Sequence, residues 1–297
     1  MLLSILIPTY NYDPSQLVSE LQKQLPEDSE IIVGDDCSMY NVQCTIDNEK
    51  VKLFRPSHNL GRAAIRNALA REAKGEWLLF IDADAQVRSN AFIQRYMDVA
   101  ITTDANVTNV TPAYQVICGG TGNLPSCPRP AARLRYDYEV KAEKRLTHVY
   151  RREHPYAQFT TFNFLIQRDL FLSILFDETL KEYGHEDTQF GLELKKRGIP
   201  ILHIDNKLTH LGLEDADEYL QKTETALRSL ARMPLEQKQN VRVSALAEKL
   251  NRYCLLSVVR CLFKATKPLL RANLLGKHPN QLLFAFYKLG YYAEQGK

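Results

Sequence analysis

The sequence has no long hydrophobic run and no recognisable secretory signal. Of its 297 residues, 45% are hydrophobic and 25% are charged, as in an ordinary globular protein. The longest uncharged stretch, residues 105–128, is rich in Thr, Asn, Gly and Pro, which excludes a membrane-spanning helix there. The opening MLLSILIPTYN has no basic segment before its few apolar residues. We therefore expect a cytoplasmic protein, with contact at the inner face of the cytoplasmic membrane left open.

The sequence lacks the cysteine and glycine motifs of several common metal-binding, disulfide-bonded and nucleotide-binding proteins. The six cysteines include no CxxC pair, so neither a zinc site nor a disulfide framework is indicated, and reduced thiols fit a cytoplasmic location. The turn PTYNYDP lacks the GxGxxG fingerprint of dinucleotide-binding enzymes. It also lacks the Gly-rich basic loop expected of an enzyme that forms sugar nucleotides. Such a nucleotidyltransferase stays as an alternative, as does a non-catalytic relic that binds nucleotide sugars.

Short apolar runs alternate with helical patterns along most of the chain. The alternation predicts an α/β fold with a Rossmann-like, mostly parallel central sheet and helices on both faces. A loop is expected over residues 119–130, followed by a basic helical stretch, and residues after 213 read as a C-terminal helical region. The predicted strands are 4–7, 30–36, 51–56, 77–84, 160–166 and a final one at 200–204, and the predicted helices are 14–25, 60–73, 90–100, 169–176 and 186–197.

Two carboxylates, Asp82 and Asp84, close the apolar run WLLFIDAD. Ligands of open α/β sheets bind beyond the carboxyl ends of the strands. Two neighbouring acids repel each other, and a divalent cation relieves that repulsion. Oxygen ligands suit Mg²⁺ or Mn²⁺, with a diphosphate completing the coordination shell. An Asp-x-Asp pair also occurs in many turns, so its meaning depends on the other motifs.

Further polar residues follow the first two predicted strands. Thr9, Tyr10 and Asn11 occupy the turn after the first strand, and Asp36 ends the second. Asp36 can accept a hydrogen bond from the imide N–H of a base, or it can form an Asx turn or a helix cap. Arg62 and Arg66 are four residues apart on one face of the predicted helix 60–73, directed toward whatever lies near Asp36. The alternative, favoured for Arg62, is a solvated basic face.

The later part of the chain adds an acidic pair and a histidine. Glu186 and Asp187 start a predicted helix, where acids often complement the helix dipole. Alternatively, one of them is a general base; an Asp with its usual pKa of about 3.9 is weak, so it must be held close to the acceptor hydroxyl. His210 follows a predicted strand and can complete a metal shell. His203, inside the apolar PILHI, is interpreted as structural.

The motifs SILIPTYN, VGDDCS, NLGRAAIRN, FIDAD, EDTQFGLELKKRG and HLG occur in an order that resembles the family 2 glycosyltransferases, which have the GT-A fold. The resemblance covers roughly residues 1–213. It implies that Asp36 contacts the nucleotide base and that Arg66 lies near the nucleotide. It also implies that Asp84 and His210 bind the metal, Mn²⁺ or Mg²⁺, while Asp82 lies near the ribose or the sugar.

The same resemblance assigns Asp187 as the base and places Glu186 beside the acceptor. Thr9, Tyr10 and Asn11 are then candidate donor-binding residues. Two positions depart from the family pattern: Ala85 stands where many members have a further Asp, and Cys37 stands where Gly is usual. The QxxRW motif of processive, membrane-spanning members is missing from the sequence, which implies a non-processive enzyme.

The resemblance therefore implies an inverting, metal-dependent glycosyltransferase. Its donor is expected to be a nucleoside-diphosphate sugar, usually a UDP sugar, and its acceptor a glycan or a lipid-linked molecule in polysaccharide biosynthesis. The expected domains are a GT-A domain at 1–213, divided into a nucleotide-sugar-binding half (1–110) and an acceptor-binding half (111–213), and a helical region at 214–297.

Positive charge is concentrated near the C-terminus. Residues 242–288 contain nine Lys or Arg and one acid, a local charge of +8 in a chain whose total is +3. Apolar residues at helical spacing lie among these cations. This region is expected either to pack on the catalytic core or on a second subunit, or to contact anionic lipid at a membrane surface. Nucleic acid is not expected as a partner, because no aromatic stacking pattern accompanies the charge.

Overall fold

The computed structural model describes residues 2–40, 49–101, 114–179, 186–233, 238 and 241–295. They form two compact units. The first comprises Met1–Gly122, Arg145–Leu180 and Phe190–Gly212, and the second comprises Asn123–Lys144, Lys181–Gln189 and Leu213–Lys297. Within the described ranges, no helix is both long enough and apolar enough to cross a bilayer.

A seven-stranded sheet forms the centre of the first unit, in the order β3-β2-β1-β4-β8-β6-β9. Strands β1 to β4 are parallel, and β8 runs antiparallel to both of its neighbours, β4 and β6. The prediction of a mostly parallel α/β sheet is confirmed. The strands among the described residues are β1 (Leu3–Thr9), β2 (Ser29–Asp35), β3 (Val51–Phe54), β4 (Trp77–Ile81), β5 (Ala85–Gln86), β6 (Val116–Cys118), β7 (Thr121–Gly122), β8 (Asn163–Gln167), β9 (Ile201–His203) and β10 (Leu208–His210).

Helices cover both faces of this sheet, because successive strand residues point to opposite sides. Leu3, Ile5 and Ile7 of β1 join one buried cluster with α1 and α3, whereas Leu6 joins a second cluster with α2, α6 and α7. The helices are α1 (Ser15–Gln22), α2 (Arg62–Glu72), α3 (Phe92–Ile101), α4 (Arg133–Arg145), α5 (His148–Glu153), α6 (Arg168–Ile174), α7 (Glu186–Lys196), α8 (Ala216–Arg232), α9 (Arg242–Arg252), α10 (Leu256–Leu274) and α11 (Gln281–Gln295).

A second, three-stranded sheet has the order β5-β10-β7. Strand β10 pairs antiparallel with β5 and parallel with β7. The sequence analysis missed these strands as well as β6, and it was wrong in treating 119–130 as a continuous loop and 200–204 as the last strand. Segments of two or three residues are too short to show the two-residue periodicity on which a strand prediction depends.

The second unit is largely helical and has its own core. Leu134 of α4 packs with apolar residues of α8, α10 and α11, among them Leu220, Phe263 and Phe284. Arg135 of α4 forms ion pairs with Glu139 and Glu214. The helical reading of the C-terminal region is confirmed, and the α4 segment belongs to the same unit.

The boundaries of the two compact units differ from those of the expected domains. The first unit ends at Gly212, next to the expected boundary after residue 213, but segments 123–144 and 181–189 belong to the second unit. The expected division at 110/111 lies outside the described residues. The domain assignment stays a prediction.

His203 on β9 is buried and has a structural role in the first unit. Its Nδ1 lies 3.3 Å from Arg151 Nη1, and its Nε2 lies 2.9 Å from the Pro155 carbonyl oxygen. This pattern requires a neutral ring that accepts at Nδ1 and donates from Nε2. Burial, opposed by the bond to Pro155 and reinforced by the charge of Arg151, lowers the pKa of His203 from 6.5 to about 4.

We predict that His203 makes the protein sensitive to mild acid. Its pKa is lower in the folded state than in the unfolded state, so the unfolded chain takes up the proton first, and stability falls as the pH drops from 6.5 toward 4. The loss amounts to about 3 kcal/mol for this group. Urea unfolding at several pH values should show a shallower decrease for His203→Gln than for the parent. His58→Gln, at an exposed position, should leave the slope unchanged; an identical slope in His203→Gln would contradict the account.

Candidate active site

The turn after β1 is joined to the turn after β2 by side chains. The Asn11 amide N–H donates to Ser38 Oγ at 2.8 Å, and Asn11 Oδ1 accepts from the Met39 amide at 2.9 Å. Thr9, which is buried, donates through its hydroxyl to the Tyr12 carbonyl at 2.6 Å. Tyr10 remains 53% exposed. Of the three residues predicted here, Thr9 and Asn11 thus have structural contacts, and Tyr10 presents its ring to solvent.

Cys37 adopts a left-handed backbone conformation, with φ of +63°. A side chain in this region is strained, whereas glycine is not. The conformation accounts for the glycine expected at this position from the family resemblance, and Cys37 adopts it despite its side chain. Its thiol lies 3.1 Å from the Pro56 carbonyl oxygen, and its amide donates to the Asp35 carbonyl. The turn therefore keeps its conformation without the glycine.

Asp36 caps the start of α2. Its Oδ1 accepts from the Leu60 amide at 2.7 Å, and its Oδ2 accepts from the Gly61 amide at 2.9 Å. Gly61 has φ of +87°. The first amides of a helix have no partner within the helix, so this carboxylate satisfies donors that would otherwise be orphaned. Asp36 thus has a structural role at the start of α2, although the N-cap residue of that helix is Gly61. Contact with a nucleotide base stays a prediction, compatible with the second lone pair on each carboxylate oxygen.

Arg66 lies on the buried side of α2 and pairs with Asp82. Its Nη2 is 2.5 Å from Asp82 Oδ1, and its Nη1 donates to the Arg62 carbonyl at 3.1 Å. The arginine is 4% exposed, whereas the Asp82 side chain is 28% exposed. The structure therefore brings together two predicted donor-site residues. The charge pair holds Asp82 at the carboxyl end of β4 with one face open to solvent.

Asp84 and His210 lie side by side at the same edge of the sheet. Asp84 Oδ2 is 3.2 Å from His210 Nε2. Two features of the β5-β10 pairing produce this approach: His210 is the direct partner of Ala85, and the Leu211 amide donates to the Asp84 carbonyl at 2.8 Å. His210 is therefore the last residue of a strand rather than a loop residue.

Gly212 makes room for the Asp84 carboxylate. A Cβ added at Gly212 would overlap the Asp84 carboxylate group. Phe162 packs edge-on against the His210 ring, with the ring centroids 5.5 Å apart. The glycine and the phenylalanine together fix where the two predicted ligands meet.

Tyr12 is a neighbour of this site that the sequence analysis did not single out. Burial, and next the negative charge of Asp84, raise the pKa of the Tyr12 hydroxyl. The turn after β1 is therefore electrostatically coupled to Asp84. No sequence signal marked Tyr12, because the interaction depends on the parallel pairing of β1 with β4.

The Asp84–His210 pair fits part of a metal site. Two adjacent ligand atoms on an octahedral ion, at bonds of about 2.1 Å, lie about 3 Å apart, close to the observed 3.2 Å. Among the described residues, no group of three or more His, Cys, Asp or Glu side chains is arranged to hold a metal. The chain itself would supply two ligands, and a diphosphate and water would supply the others, as is usual for Mg²⁺-type sites.

Glu186 and Asp187 form the first turn of α7 and belong to the second unit. Acids in a first helical turn interact favourably with the helix dipole, and Lys195 and Lys196 complement the opposite end. Both acids can therefore stabilise the start of α7. The assignment of Asp187 as the general base stays a prediction.

The mixed α/β sheet with its covering helices has the GT-A fold, as two solved structures show. The mannosyltransferase PcManGT from Pyrobaculum calidifontis, solved with GDP-Man and Mn²⁺, superposes with a TM-score of 0.61 at 15% identity, covering 99% of this chain and 85% of that one. S. aureus TarS 1–349 gives a TM-score of 0.53 at 16% identity over 100% and 92%. Residues 4–171 match the sequence model of the family described as Glycosyl transferase family 2. The chain belongs to that family.

Two curated relatives match parts of the chain. An uncharacterized glycosyltransferase of Haemophilus influenzae is 38% identical over 86 residues, which are 28% of this chain and 29% of that protein. The validoxylamine A glucosyltransferase of Streptomyces hygroscopicus subsp. limoneus is 27% identical over 230 residues, or 67% of this chain and 49% of its own length. This chain thus spans less than half of each of these relatives. The family favours a glycosyltransferase over the nucleotidyltransferase alternative.

We predict that the Arg66–Asp82 pair contributes measurably to stability. Arg66→Met should lower the free energy of unfolding by about 1–3 kcal/mol, because it leaves a partly buried carboxylate unpaired. Arg71→Met is the matched control on the same helix, since Arg71 is 52% exposed and lies 3.7 Å from Glu178; it should cost under about 1 kcal/mol. Urea unfolding measures the loss of stability in both variants. Equal losses would show that the Arg66–Asp82 pair contributes no more than an exposed ion pair.

Proposed function

We propose that the protein is an inverting, metal-dependent glycosyltransferase. It moves a sugar from a nucleoside-diphosphate sugar, with UDP as the expected nucleotide, to a hydroxyl of a glycan or lipid-linked acceptor. The observation that carries the proposal is the approach of Asp84 to His210 beyond β4 in a family 2 domain. The GDP-Man and Mn²⁺ in the PcManGT structure support this kind of donor and metal.

The donor is held by residues at the carboxyl ends of β1, β2 and β4. Asp36 accepts the imide N–H of the base, and Asp82, oriented by Arg66, receives the ribose or sugar hydroxyls. Thr9 and Asn11 shape the turn after β1, and the exposed ring of Tyr10 is available to contact the nucleotide. The three strands run parallel, so these groups share one edge.

Asp84 and His210 would hold the divalent ion, which would supply positive charge to offset that of the leaving nucleoside diphosphate. A mixed set of one carboxylate oxygen and one imidazole nitrogen favours Mn²⁺ over Mg²⁺, since Mg²⁺ takes oxygen ligands almost exclusively. Gly212 and Phe162 keep the two side chains in position.

Asp187 is proposed as the general base. It accepts the proton of the acceptor hydroxyl while that oxygen attacks the anomeric carbon from the side opposite the diphosphate. The bond from the anomeric carbon to the diphosphate oxygen breaks, and the configuration inverts. Glu186, its neighbour in the first turn of α7, binds the acceptor.

Asp187→Asn tests this role directly. Transfer to the acceptor should fall by about a hundredfold or more, because Asn cannot accept the proton, while donor affinity measured by calorimetry stays within about twofold. Asp169→Asn provides the control, since Asp169 is also an acid in a first helical turn, that of α6, and is 99% exposed; it should leave both quantities unchanged. Full transfer by Asp187→Asn would remove Asp187 from the role of base.

Gly212→Ala tests the metal pair without removing a ligand. The added Cβ must displace the Asp84 carboxylate, so Mn²⁺-dependent donor affinity should fall by about ten- to a hundredfold, as for other residues that orient ligands. Gly276→Ala, in the second unit, brings a Cβ to a tight 3.2 Å from two backbone oxygens but touches neither predicted ligand, so it should leave Mn²⁺-dependent donor affinity unchanged. Unchanged Mn²⁺ dependence in Gly212→Ala would mean that Asp84 does not hold the ion.

Donor hydrolysis separates an enzyme from a nucleotide-sugar-binding relic. The purified protein is incubated with Mn²⁺ and single nucleotide sugars, without an acceptor, and the released nucleoside diphosphate is measured. One donor should be hydrolysed well above the others, with Asp84→Ala reducing the rate. Tight binding of a donor with no hydrolysis and no transfer would favour the relic.

A further inference from the structure

Helix α10 has apolar residues on two opposite faces. Phe263, Leu270 and Leu274 are buried in the core of the second unit. Val258 and Leu262 are each 53% exposed, and Leu269 is 74% exposed. Positions 258, 262, 265 and 269 follow one another at helical spacings of three and four residues, so they form a continuous apolar stripe on the side facing away from the core.

Further exposed apolar residues lie in the part of the chain that precedes the helix. Tyr253 is 68% exposed and Leu255 is 48% exposed, and Leu246 on α9 is 46% exposed. We call these three residues together with Val258, Leu262 and Leu269 the C-terminal apolar surface. Single exposed apolar residues are common, but a group of this size concentrated in one short segment indicates an interaction site.

Positive charge accompanies this surface. Residues 242–288 carry nine Lys or Arg and only one acid, Glu248. Arg271 and Lys267 pair with acids of other helices, namely Asp217, Glu224 and Glu294. The exposed cations of this segment include Lys249, Arg252, Lys264 and Lys277.

This charge decides between the two occupants that suit an apolar helix face. In a symmetric dimer the same patch meets itself, so the excess of cations around the stripe would oppose its own copy. An anionic lipid surface attracts the same cations, by about 1 kcal/mol for each Lys or Arg near the surface. We infer that the C-terminal apolar surface docks on an anionic membrane, with α10 lying in the plane of the interface.

Vesicle sedimentation tests the inference with the full chain and without a donor, so its outcome is independent of the proposed transfer reaction. The protein should pellet with vesicles of phosphatidylglycerol and phosphatidylcholine, remain in solution with phosphatidylcholine alone, and be released by 0.5 M salt. Lys264→Glu should weaken binding at least about fivefold, the factor corresponding to one lost cation.

Two substitutions in the stripe supply the matched comparison. Leu262→Glu with Leu269→Glu should reduce vesicle binding by about tenfold or more, with an unchanged circular dichroism spectrum. Val149→Glu, at a 55% exposed position on α5 of the first unit, should bind as the parent does. No pelleting with anionic vesicles, or equal pelleting with neutral ones, would overturn the inference.

Thiol protection locates the contact. Cys261 is exposed on α10, beside Leu262, whereas Cys127 is partly buried near the start of α4 in the same unit. Anionic vesicles should slow alkylation of Cys261 by a water-soluble reagent and leave Cys127 unchanged, as read by peptide mass spectrometry. If the protein instead dimerises without vesicles and the Leu262 and Leu269 substitutions yield a monomer that no longer protects Cys261, the occupant is a second copy and the membrane proposal fails.

Discussion

The antiparallel pairing of β10 with β5 is the constraint on which the candidate site depends. It brings His210 to within 3.2 Å of Asp84, although 126 residues separate them in the chain. The two-residue strand β5 starts directly after Asp84, so the ladder that fixes His210 also fixes the backbone of the acid. Gly212, without a side chain, then allows the carboxylate to lie against the following turn. Backbone pairing thus brings together the two side chains that are proposed to bind the metal.

Helix α2 and the two residues before it play a similar part for two other predicted site residues. The Leu60 and Gly61 amides, directly before the helix, bind Asp36, and Arg66 on the helix binds Asp82. Both acids therefore have structural partners in addition to the ligand roles proposed for them. This explains how several carboxylates can lie at one sheet edge without mutual repulsion dominating, since each is balanced by a helix N-terminus or a guanidinium. It also means that replacing either acid should affect stability as well as the donor binding proposed for it.

Much of the first unit could be predicted from the sequence. The runs ending in Thr9, Asp35 and Ile81 are long, apolar and bounded by polar residues, so their strand character and their common edge follow from periodicity and from the rule for parallel sheets. The end of the helix before Gly198 could also be predicted, because glycine is the usual residue after a helix. In the structure Gly198 has the left-handed conformation that ends helices, with φ of +68°. The antiparallel direction of β8 and the short strands β5, β7 and β10 were not, since they are set by long-range pairing. Tyr12 near Asp84 and Arg151 beside His203 were missed for the same reason.

The central claim is that Asp84 and His210 bind one ion together. Electron spin echo envelope modulation of Mn²⁺, added to the protein with UDP, measures nitrogen bound to the metal directly. The account predicts a ¹⁴N coupling from one imidazole in the parent protein, lost in His210→Gln and retained in His154→Gln, at an exposed position. A spectrum without nitrogen coupling, or one that His210→Gln leaves unchanged, would contradict it.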